Sequence, residues 1–196
     1  MTMSTFKRIA VTNRKLSRFE LPEQIDRIME ISRTASNIEK PDMIILREKD
    51  LSEKEYEILA AMVIEKCRNY DIECILHTYI NVALRLKCRK IHLPVSLLKK
   101  NSGYLKCFDE VGASIHSVEE AVWAEKNGAA YITAGHIFET DCKEGVPPRG
   151  LIFLNEVCNS VNIPVYAIGG IDNEKIALLK AFDIAGVCIM SGYMIL

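Results

Sequence analysis

The feature that most constrains the fold is a regular alternation of short β-rich runs with longer amphipathic stretches. Eight runs of β-branched and aliphatic residues recur along the chain: RIAVT, MIILR, ECILH, KIHLP, VGASI, AAYITAG, IPVYAIGG and AGVCIMSG. Several are apolar on both alternating sets of positions, as strands of a parallel sheet are when both faces are covered. Most are separated by segments of helical length.

Helix signals fall directly after several of these runs. Ser52 and Glu55 have the spacing of a capping box, and Asp172 is placed to cap the stretch NEKIALLKAF. Gly128 predicts the end of the helix that begins near SVEEA. The connection from ECILH to KIHLP is the shortest and predicts only a turn or two of helix.

Eight strands interleaved with crossovers predict an α/β fold, a single (β/α)8 TIM barrel that occupies residues 1–196 as one domain. A doubly wound open sheet is the alternative, and the strand count favours the barrel. After the run CIMSGYMIL no length remains for an eighth helix. We therefore expect the last outer helix to be truncated or absent, with the apolar end of the chain packed down or covered by the second subunit of a homodimer.

Composition limits the classes of partner. Hydrophobic residues make up 49% of the chain, charged residues 26%, and the formal net charge is −1. Neither nucleic acid nor a membrane is expected as a partner. No stretch has the length of a signal peptide's apolar core or of a membrane span, so a cytoplasmic location is expected. The seven cysteines are dispersed without a C-x-x-C spacing, which indicates reduced thiols.

The four histidines fall at or near the ends of predicted strands. His77 ends the third, His92 lies late in the fourth, His116 follows the fifth and His136 closes the sixth. In a barrel of this type the active site lies at the carboxyl ends of the strands. We expect the histidines to meet at this rim, with Gly135 leaving room for a flat ligand beside His136. No metal site is predicted, because the paired spacing and acidic ligands typical of such sites are missing.

Several residues at the same rim suit an anion. Alternation places Arg47 and Lys49 on one face at the end of the second strand; a salt bridge to Glu48 or Glu53 is the alternative use of these cations. The seventh and eighth strands end in glycine-containing turns, where barrels commonly hold phosphate. The predicted phosphate-binding residues are Gly169, Gly170, Ser191 and Gly192.

The polar segment ETDCKEGVPPRG that follows His136 predicts a functional loop over the site. Cys142 beside Lys143 is a candidate nucleophile, although no histidine is adjacent to it in sequence. Binding of an anionic substrate by Lys143 or Arg149 is the preferred interpretation of this loop.

The motifs LREKDLSEKEY, IHLP, GASIHSVEEA, GHIFETDCKEG, IPVYAIGGI and MSGY together resemble the thiamine phosphate synthase superfamily over essentially the whole chain. Their details are closer to its thiazole tautomerase branch, the regulatory-protein-like relatives of the synthase. The synthase pattern has an Asn-Asp pair and a further aspartate that hold magnesium. Here the corresponding positions read Asn81-Val82, and HLPVSLLKK contains Ser96 and no carboxylate.

The resemblance implies an isomerisation that aromatises a carboxylated thiazole phosphate by moving one proton, without a cofactor. It implies that His136 is the general acid/base, a role that suits imidazole near neutral pH. It further implies a small phosphorylated thiazole as substrate, with Arg47 and Lys49 binding its anionic groups. The secondary substrate-binding candidates are His116, His92, Thr12 and Lys143, with Asn13 beside Thr12.

Two other functions remain open. The chain could be a thiamine phosphate synthase, a transferase that joins a pyrimidine diphosphate to a thiazole phosphate and would require magnesium. It could also be a non-catalytic phosphate-ligand binding or regulatory protein, because this barrel hosts many functions.

Overall fold

The chain forms a closed barrel of eight parallel strands in the order β1 to β8, with β8 paired back onto β1. This computed structural model describes residues 6–143 and 145–196. The strands are β1 Lys7–Val11, β2 Met43–Leu46, β3 Glu73–His77, β4 Lys90–Pro94, β5 Glu110–Ile115, β6 Tyr131–Gly135, β7 Val165–Ile168 and β8 Gly186–Ile189. The helices are α1 Leu21–Thr34, α2 Glu53–Asn69, α3 Ile80–Arg85, α4 Val95–Lys100, α5 Val118–Lys126, α6 Gly150–Ser160, α7 Asn173–Leu179 and α8 Ser191–Met194. The predicted (β/α)8 barrel is confirmed, and the open-sheet alternative is wrong.

The helix boundaries follow the local signals in the sequence. The Ser52 hydroxyl accepts from the backbone N–H of Glu55, whose carboxylate accepts from the N–H of Ser52 at 2.9 Å, which completes the capping box of α2. Asp172 accepts from the N–H of Lys175 and caps α7. Gly128 follows the end of α5 with a φ of +88°, a conformation that suits glycine.

The core has two layers, as the apolar faces of the strands require. The larger layer lies between the strands and the surrounding helices, which accounts for the strands that are apolar on both sides. A smaller cluster fills the barrel interior. Its members are Ile9, Val11, Ile45, Ile75, Tyr131, Tyr166 and Cys188.

The last helix, α8, spans the four residues Ser191–Met194. The end of the chain packs on the barrel: Tyr193 is 3% exposed, its carbonyl accepts from the Gln24 amide at 2.8 Å, and its hydroxyl donates to the Glu39 carbonyl. Met194 is also buried, whereas Ile195 is exposed. A homodimer that covers this end stays a prediction. Across the described ranges, no helix has both the length and the apolarity needed to cross a membrane.

Candidate active site

A cavity of about 340 Å³ opens at the carboxyl ends of the strands. Its lining comes from the ends of β1 to β8 and from the loop after β6, where a barrel of this type concentrates its chemistry. Ten of the candidate site residues named from the sequence line it. They are Asn13, Arg47, Lys49, His116, His136, Cys142, Lys143, Gly169, Gly170 and Ser191.

Three cations face this cavity, and no aspartate or glutamate is among the described residues that line it. Burial lowers the pKa of Arg47, and burial together with the nearby charges of Arg47 and Lys143 lowers the pKa of Lys49. Such repulsion between like charges is relieved when an anion enters. Within the described part of the chain, none of the three forms a salt bridge.

The alternative salt bridges suggested for Arg47 and Lys49 are wrong. The Glu48 carboxylate is 2% exposed and instead accepts from the Thr12 hydroxyl at 2.7 Å and from the Arg14 guanidinium at 3.1 Å. Glu53 pairs with Arg85 on the outer surface. The cations at the end of β2 therefore remain available to a ligand.

The Thr12 side chain does not reach the cavity, so its assignment to substrate binding is corrected. It is fully buried, donates to Glu48 and accepts from the backbone N–H of Arg47 at 2.9 Å. Thr12 thus joins the end of β1 to the end of β2 and positions Arg47. The neighbouring Asn13 is the residue of this pair that lines the cavity.

The His136 imidazole lies at the cavity wall, where it is 7% exposed. Its Nε2 lies 3.1 Å from the carbonyl oxygen of Val146, and a carbonyl can only accept, so Nε2 carries the proton. Nδ1 of neutral His136 then holds a lone pair. Among the described residues, Nδ1 has no hydrogen-bond partner, and no buried side-chain nitrogen lacks one, so Nδ1 is an accessible atom.

Two glycines shape the surroundings of His136, but not as predicted. A Cβ on Gly135 would lie 2.3 Å from the carbonyl oxygen of Ile168, so this glycine serves the close packing of β6 on β7 and does not leave room for a ring. Gly169 has a φ of +104°, and a Cβ there would lie 2.3 Å from the Cβ of His136. The turn after β7 therefore packs closely against the Cα and Cβ of His136.

His116 is exposed at the end of β5 and lines the cavity beside His136. Its Nδ1 donates to the carbonyl oxygen of Gly135 at 2.7 Å, which leaves the Nε2 lone pair unused within the described structure. The predicted meeting of His116 and His136 at the rim is confirmed.

His92 does not line the cavity, and its assignment to substrate binding is corrected. It lies in the middle of β4 with 2% of its surface exposed, below the cavity floor. Its ring stacks at 5.6 Å on that of His77, which does line the cavity. Burial lowers the pKa of His92 to about 3 and also lowers that of His77, so both imidazoles are neutral at pH 7.

Three of the four predicted phosphate-binding residues line the cavity at the ends of β7 and β8: Gly169, Gly170 and Ser191. Apart from hydrogen bonds within helices and strands, no backbone carbonyl of a described residue accepts from the N–H groups of Gly169, Gly170 or Ser191. These N–H groups are therefore available to an anion. Gly192 is corrected: it lies in a neighbouring depression with Tyr193 and Ile195, outside the main cavity.

The loop after β6 covers one side of the cavity and forms a 3-10 helix over Asp141–Lys143. Cys142 lines the cavity with Lys143, and its thiol lies 3.8 Å from the Met190 sulfur. No imidazole contacts the thiol among the described residues, so the nucleophile alternative gains no support. Sequence reasoning missed Ser114 and Thr133, which line the floor. The sequence signal that could have identified both residues is a hydroxyl side chain within an otherwise apolar strand.

The residues at this cavity do not fit magnesium. A hard dication prefers several carboxylate or carbonyl oxygens, whereas the charged side chains in the described lining are all cationic. No cluster of three His, Cys, Asp or Glu side chains in the described structure suits a metal. Asn81 and Ser96, at the positions compared with the synthase carboxylates, are exposed outside the cavity.

The family model described as thiamine monophosphate synthase matches residues 9–193. The chain belongs to the thiamine monophosphate synthase family. It is 39% identical over 154 residues to the putative thiamine-phosphate synthase 2 of Aquifex aeolicus, covering 74% of this chain and 80% of the relative. It is 34% identical to the thiamine-phosphate synthase of Fusobacterium nucleatum subsp. nucleatum, covering 78% of this chain and 75% of the relative.

The structure of a thiamine phosphate pyrophosphorylase from Pyrococcus furiosus is similar to this barrel, with a TM-score of 0.79 and 26% identity over 98% of this chain and 89% of that one. An N-acetylmannosamine-6-phosphate 2-epimerase from Clostridium perfringens shares the fold alone, with 13% identity and a TM-score of 0.64 over 96% and 87% of the two chains. Family membership confirms the resemblance found in the sequence. By name, the relatives in the thiamine monophosphate synthase family favour the synthase over the tautomerase.

Proposed function

We propose that the chain is an enzyme of thiamine biosynthesis that acts on a phosphorylated thiazole, and that it isomerises a carboxythiazole phosphate to its aromatic tautomer. The observation that carries this proposal is the combination, in one cavity, of an imidazole with an open Nδ1 and three cations without a lining carboxylate among the described residues. A metal-free proton transfer on a ligand with two anionic groups, a phosphate and a carboxylate, suits that combination.

In the proposed reaction, His136 Nδ1 removes the proton from the ring carbon. The electron pair of that C–H bond enters the ring, and the exocyclic double bond shifts inward as its outer carbon takes up a proton from the protonated imidazole, which returns His136 to its neutral form. No atom is gained or lost, and aromatisation supplies the driving force. The Val146 carbonyl holds Nε2–H throughout, so the protonated imidazole keeps a hydrogen-bond acceptor at that nitrogen.

The anionic groups of the substrate would occupy opposite ends of the cavity. The backbone N–H groups of Gly169, Gly170 and Ser191 suit the phosphate, because glycine permits close approach of the main chain. Arg47 and Lys49 would bind the carboxylate, with Lys143 closing the loop side. Binding of this anion would offset the mutual repulsion of the cations.

Purified protein supplied with the non-aromatic tautomer should accelerate the appearance of the aromatic thiazole, measured by ultraviolet absorbance. His136→Asn should lower kcat by about 100-fold or more, the usual contribution of a general base, while the far-ultraviolet circular dichroism stays unchanged. Full activity of a folded His136→Asn protein would sink the assigned mechanism. Thermal stabilisation by the thiazole phosphate without any conversion would overturn the enzymatic proposal and leave a binding protein.

The cation assignment has a matched control. Lys49→Met should raise KM about tenfold, a loss of about 1.4 kcal/mol of binding. Lys54→Met makes the same change at an exposed position of α2 outside the cavity and should leave KM unchanged. Equal KM values for Lys49→Met and the unmodified protein would remove Lys49 from the site.

Thiamine phosphate synthase is the second candidate, because the relatives described above carry that name. It predicts magnesium-dependent release of pyrophosphate from a pyrimidine diphosphate and a thiazole phosphate. Turnover in that assay, with no acceleration of tautomerisation, would replace the isomerase proposal with the synthase. Absence of pyrophosphate release at saturating magnesium would remove the synthase.

A further inference from the structure

Two of the three cavity cations, Arg47 and Lys49, lie on a short irregular segment between β2 and α2. This cation segment, residues 46–51, runs from the last residue of β2 to the residue before the cap of α2. Among the described residues, no backbone–backbone hydrogen bond starts or ends within 47–51. Regular secondary structure therefore does not fix the position of the two cations.

The charges of the cation segment oppose its order. Burial, and after it the charge of Arg47, lowers the pKa of Lys49. Like charges that are held close together repel each other, and the repulsion favours conformations in which the two side chains move apart into solvent. Groups outside the segment must therefore hold its main chain at the cavity.

Two tyrosine hydroxyls hold this main chain at both ends. The Tyr56 hydroxyl donates to the carbonyl oxygen of Leu46 at 2.6 Å, and the Tyr79 hydroxyl donates to the carbonyl oxygen of Leu51. Burial raises the pKa of both phenols, so both keep the proton that they donate. The Tyr56 oxygen also accepts from the backbone N–H of His77 at 3.0 Å, which joins the end of β2 to the end of β3.

The two tyrosines form one packed unit. Their rings stack with centroids 4.2 Å apart and an angle of 30° between their planes, an arrangement that aromatic pairs favour. Tyr56 is fully buried, and neither Tyr56 nor Tyr79 is among the described residues that line the cavity. Their hydroxyls are used on main-chain carbonyls, so any effect on a ligand must pass through the cation segment.

The local sequence determines where this unit lies. The capping box of Ser52 and Glu55 sets the start of α2, and the backbone N–H of Tyr56 donates to the Ser52 carbonyl at 2.9 Å. Tyr56 thus closes the first turn of α2, next to the segment that it holds. Tyr79 directly precedes α3 and reaches the same segment from the end of the next strand.

We propose that Tyr56 and Tyr79 are positioning residues that hold the cation segment in place before the ligand arrives, so that Arg47 and Lys49 bind an anionic group without first ordering their loop. This inference rests on the proposed function only for the identity of the ligand, a carboxylated thiazole phosphate. A segment that is already ordered loses little conformational entropy on binding, whereas a loose segment loses affinity by becoming ordered.

The first test needs no ligand. Hydrogen exchange measured by mass spectrometry reports on peptides that cover residues 46–51. Exchange in these peptides should be about fivefold faster in Tyr56→Phe and in Tyr79→Phe than in the unmodified protein, because each change removes one anchoring hydrogen bond. Tyr79 is partly exposed and carries the test if Tyr56→Phe does not fold. Unchanged exchange in the folded variants would overturn the proposal, whatever reaction the protein catalyses.

Tyr70→Phe is the matched control. Tyr70 directly follows the other end of α2, outside the cavity lining, and its hydroxyl donates to the Asp26 carboxylate at 2.5 Å. The change therefore removes a tyrosine hydroxyl and its hydrogen bond without touching the cation segment. Exchange in residues 46–51 and KM should both equal those of the unmodified protein. The same acceleration in Tyr70→Phe would reduce the effect to a general loosening of α2 and overturn the proposal.

The second test uses tautomerisation kinetics. Tyr79→Phe should raise KM about threefold and leave kcat unchanged, because the cation segment binds the anion while His136 moves the proton. In a Lys49→Met background the same change should leave KM unaltered, because the cation that Tyr79 positions is gone.

A threefold rise of KM in the Lys49→Met background as well, or a loss of kcat alone, would refute the positioning role of Tyr79. If the unmodified protein converts no tautomer, the proposed function fails, and hydrogen exchange alone decides whether the two tyrosines hold the segment.

Discussion

The two buried histidines predict a specific loss of stability in mild acid. Burial lowers the pKa of His92 to about 3, and burial followed by the charges of His92, Arg47 and Lys49 lowers that of His77. In the unfolded chain imidazole titrates near pH 6.5, so between about pH 6.5 and pH 3 the unfolded state binds more protons than the folded state. The unfolding free energy must therefore decrease as the pH decreases through this window. Above about pH 6.5 the folded and unfolded states are both neutral at these histidines, and this loss is absent.

The magnitude follows from proton linkage. For a histidine that stays neutral when folded, lowering the pH from 7.5 to 5 costs about 2 kcal/mol of unfolding free energy. For His92 alone this is a substantial part of the roughly 5–15 kcal/mol typical of a domain. Burial of His77 adds a loss in the same direction. Carboxylates also begin to titrate near pH 5, so the informative quantity is the difference between variants.

Urea unfolding at pH 7.5 and pH 5 measures this difference. His92→Gln should be less stable at both pH values but should lose about 2 kcal/mol less than the unmodified protein between them. Tyr131→Phe is the control: it removes the hydrogen bond to His92 but leaves the imidazole buried, and burial is what lowers the pKa. Its pH dependence should match that of the unmodified protein. An identical pH dependence for His92→Gln would refute the reasoning.

Two further substitutions test the supports of the site. Gly169→Ala places a methyl group 2.3 Å from the Cβ of His136 at a φ of +104°. This variant should lose about 1–3 kcal/mol of stability in urea unfolding and have a lower kcat. An active variant of normal stability would contradict the close packing. Thr12→Val leaves buried Glu48 without one donor and the Arg47 N–H without its acceptor. It should cost about 1–3 kcal/mol and raise KM, and an unchanged KM would remove Thr12 as a positioning residue.

Much of the site was predictable because its signals are local. Runs that are apolar on both faces, capping residues and strand-end glycines indicate a barrel and order its elements along the chain. Position at a strand end then brought Arg47, His116 and His136 to one rim, and the structure places all three around the cavity.

The depth of each residue along the barrel axis was not predictable, because it depends on the stagger between strands. His77 and His92 are direct partners across β3 and β4, yet His77 ends its strand while His92 lies in the middle of β4 with two residues above it. Alternation within one strand predicts the face of a side chain but carries no information about its level relative to the next strand.

The sequence by itself determined the barrel and the collection of cations, histidines and glycine turns at one end, since these follow from periodicity and chain order. Only the tertiary structure decided that Thr12 holds Glu48, that Gly135 makes room for Ile168 and that His92 bonds Tyr131 beneath the floor. Each of these contacts joins residues from different strands. Their partners are set by closure of the barrel, which brings together groups that are far apart in the chain.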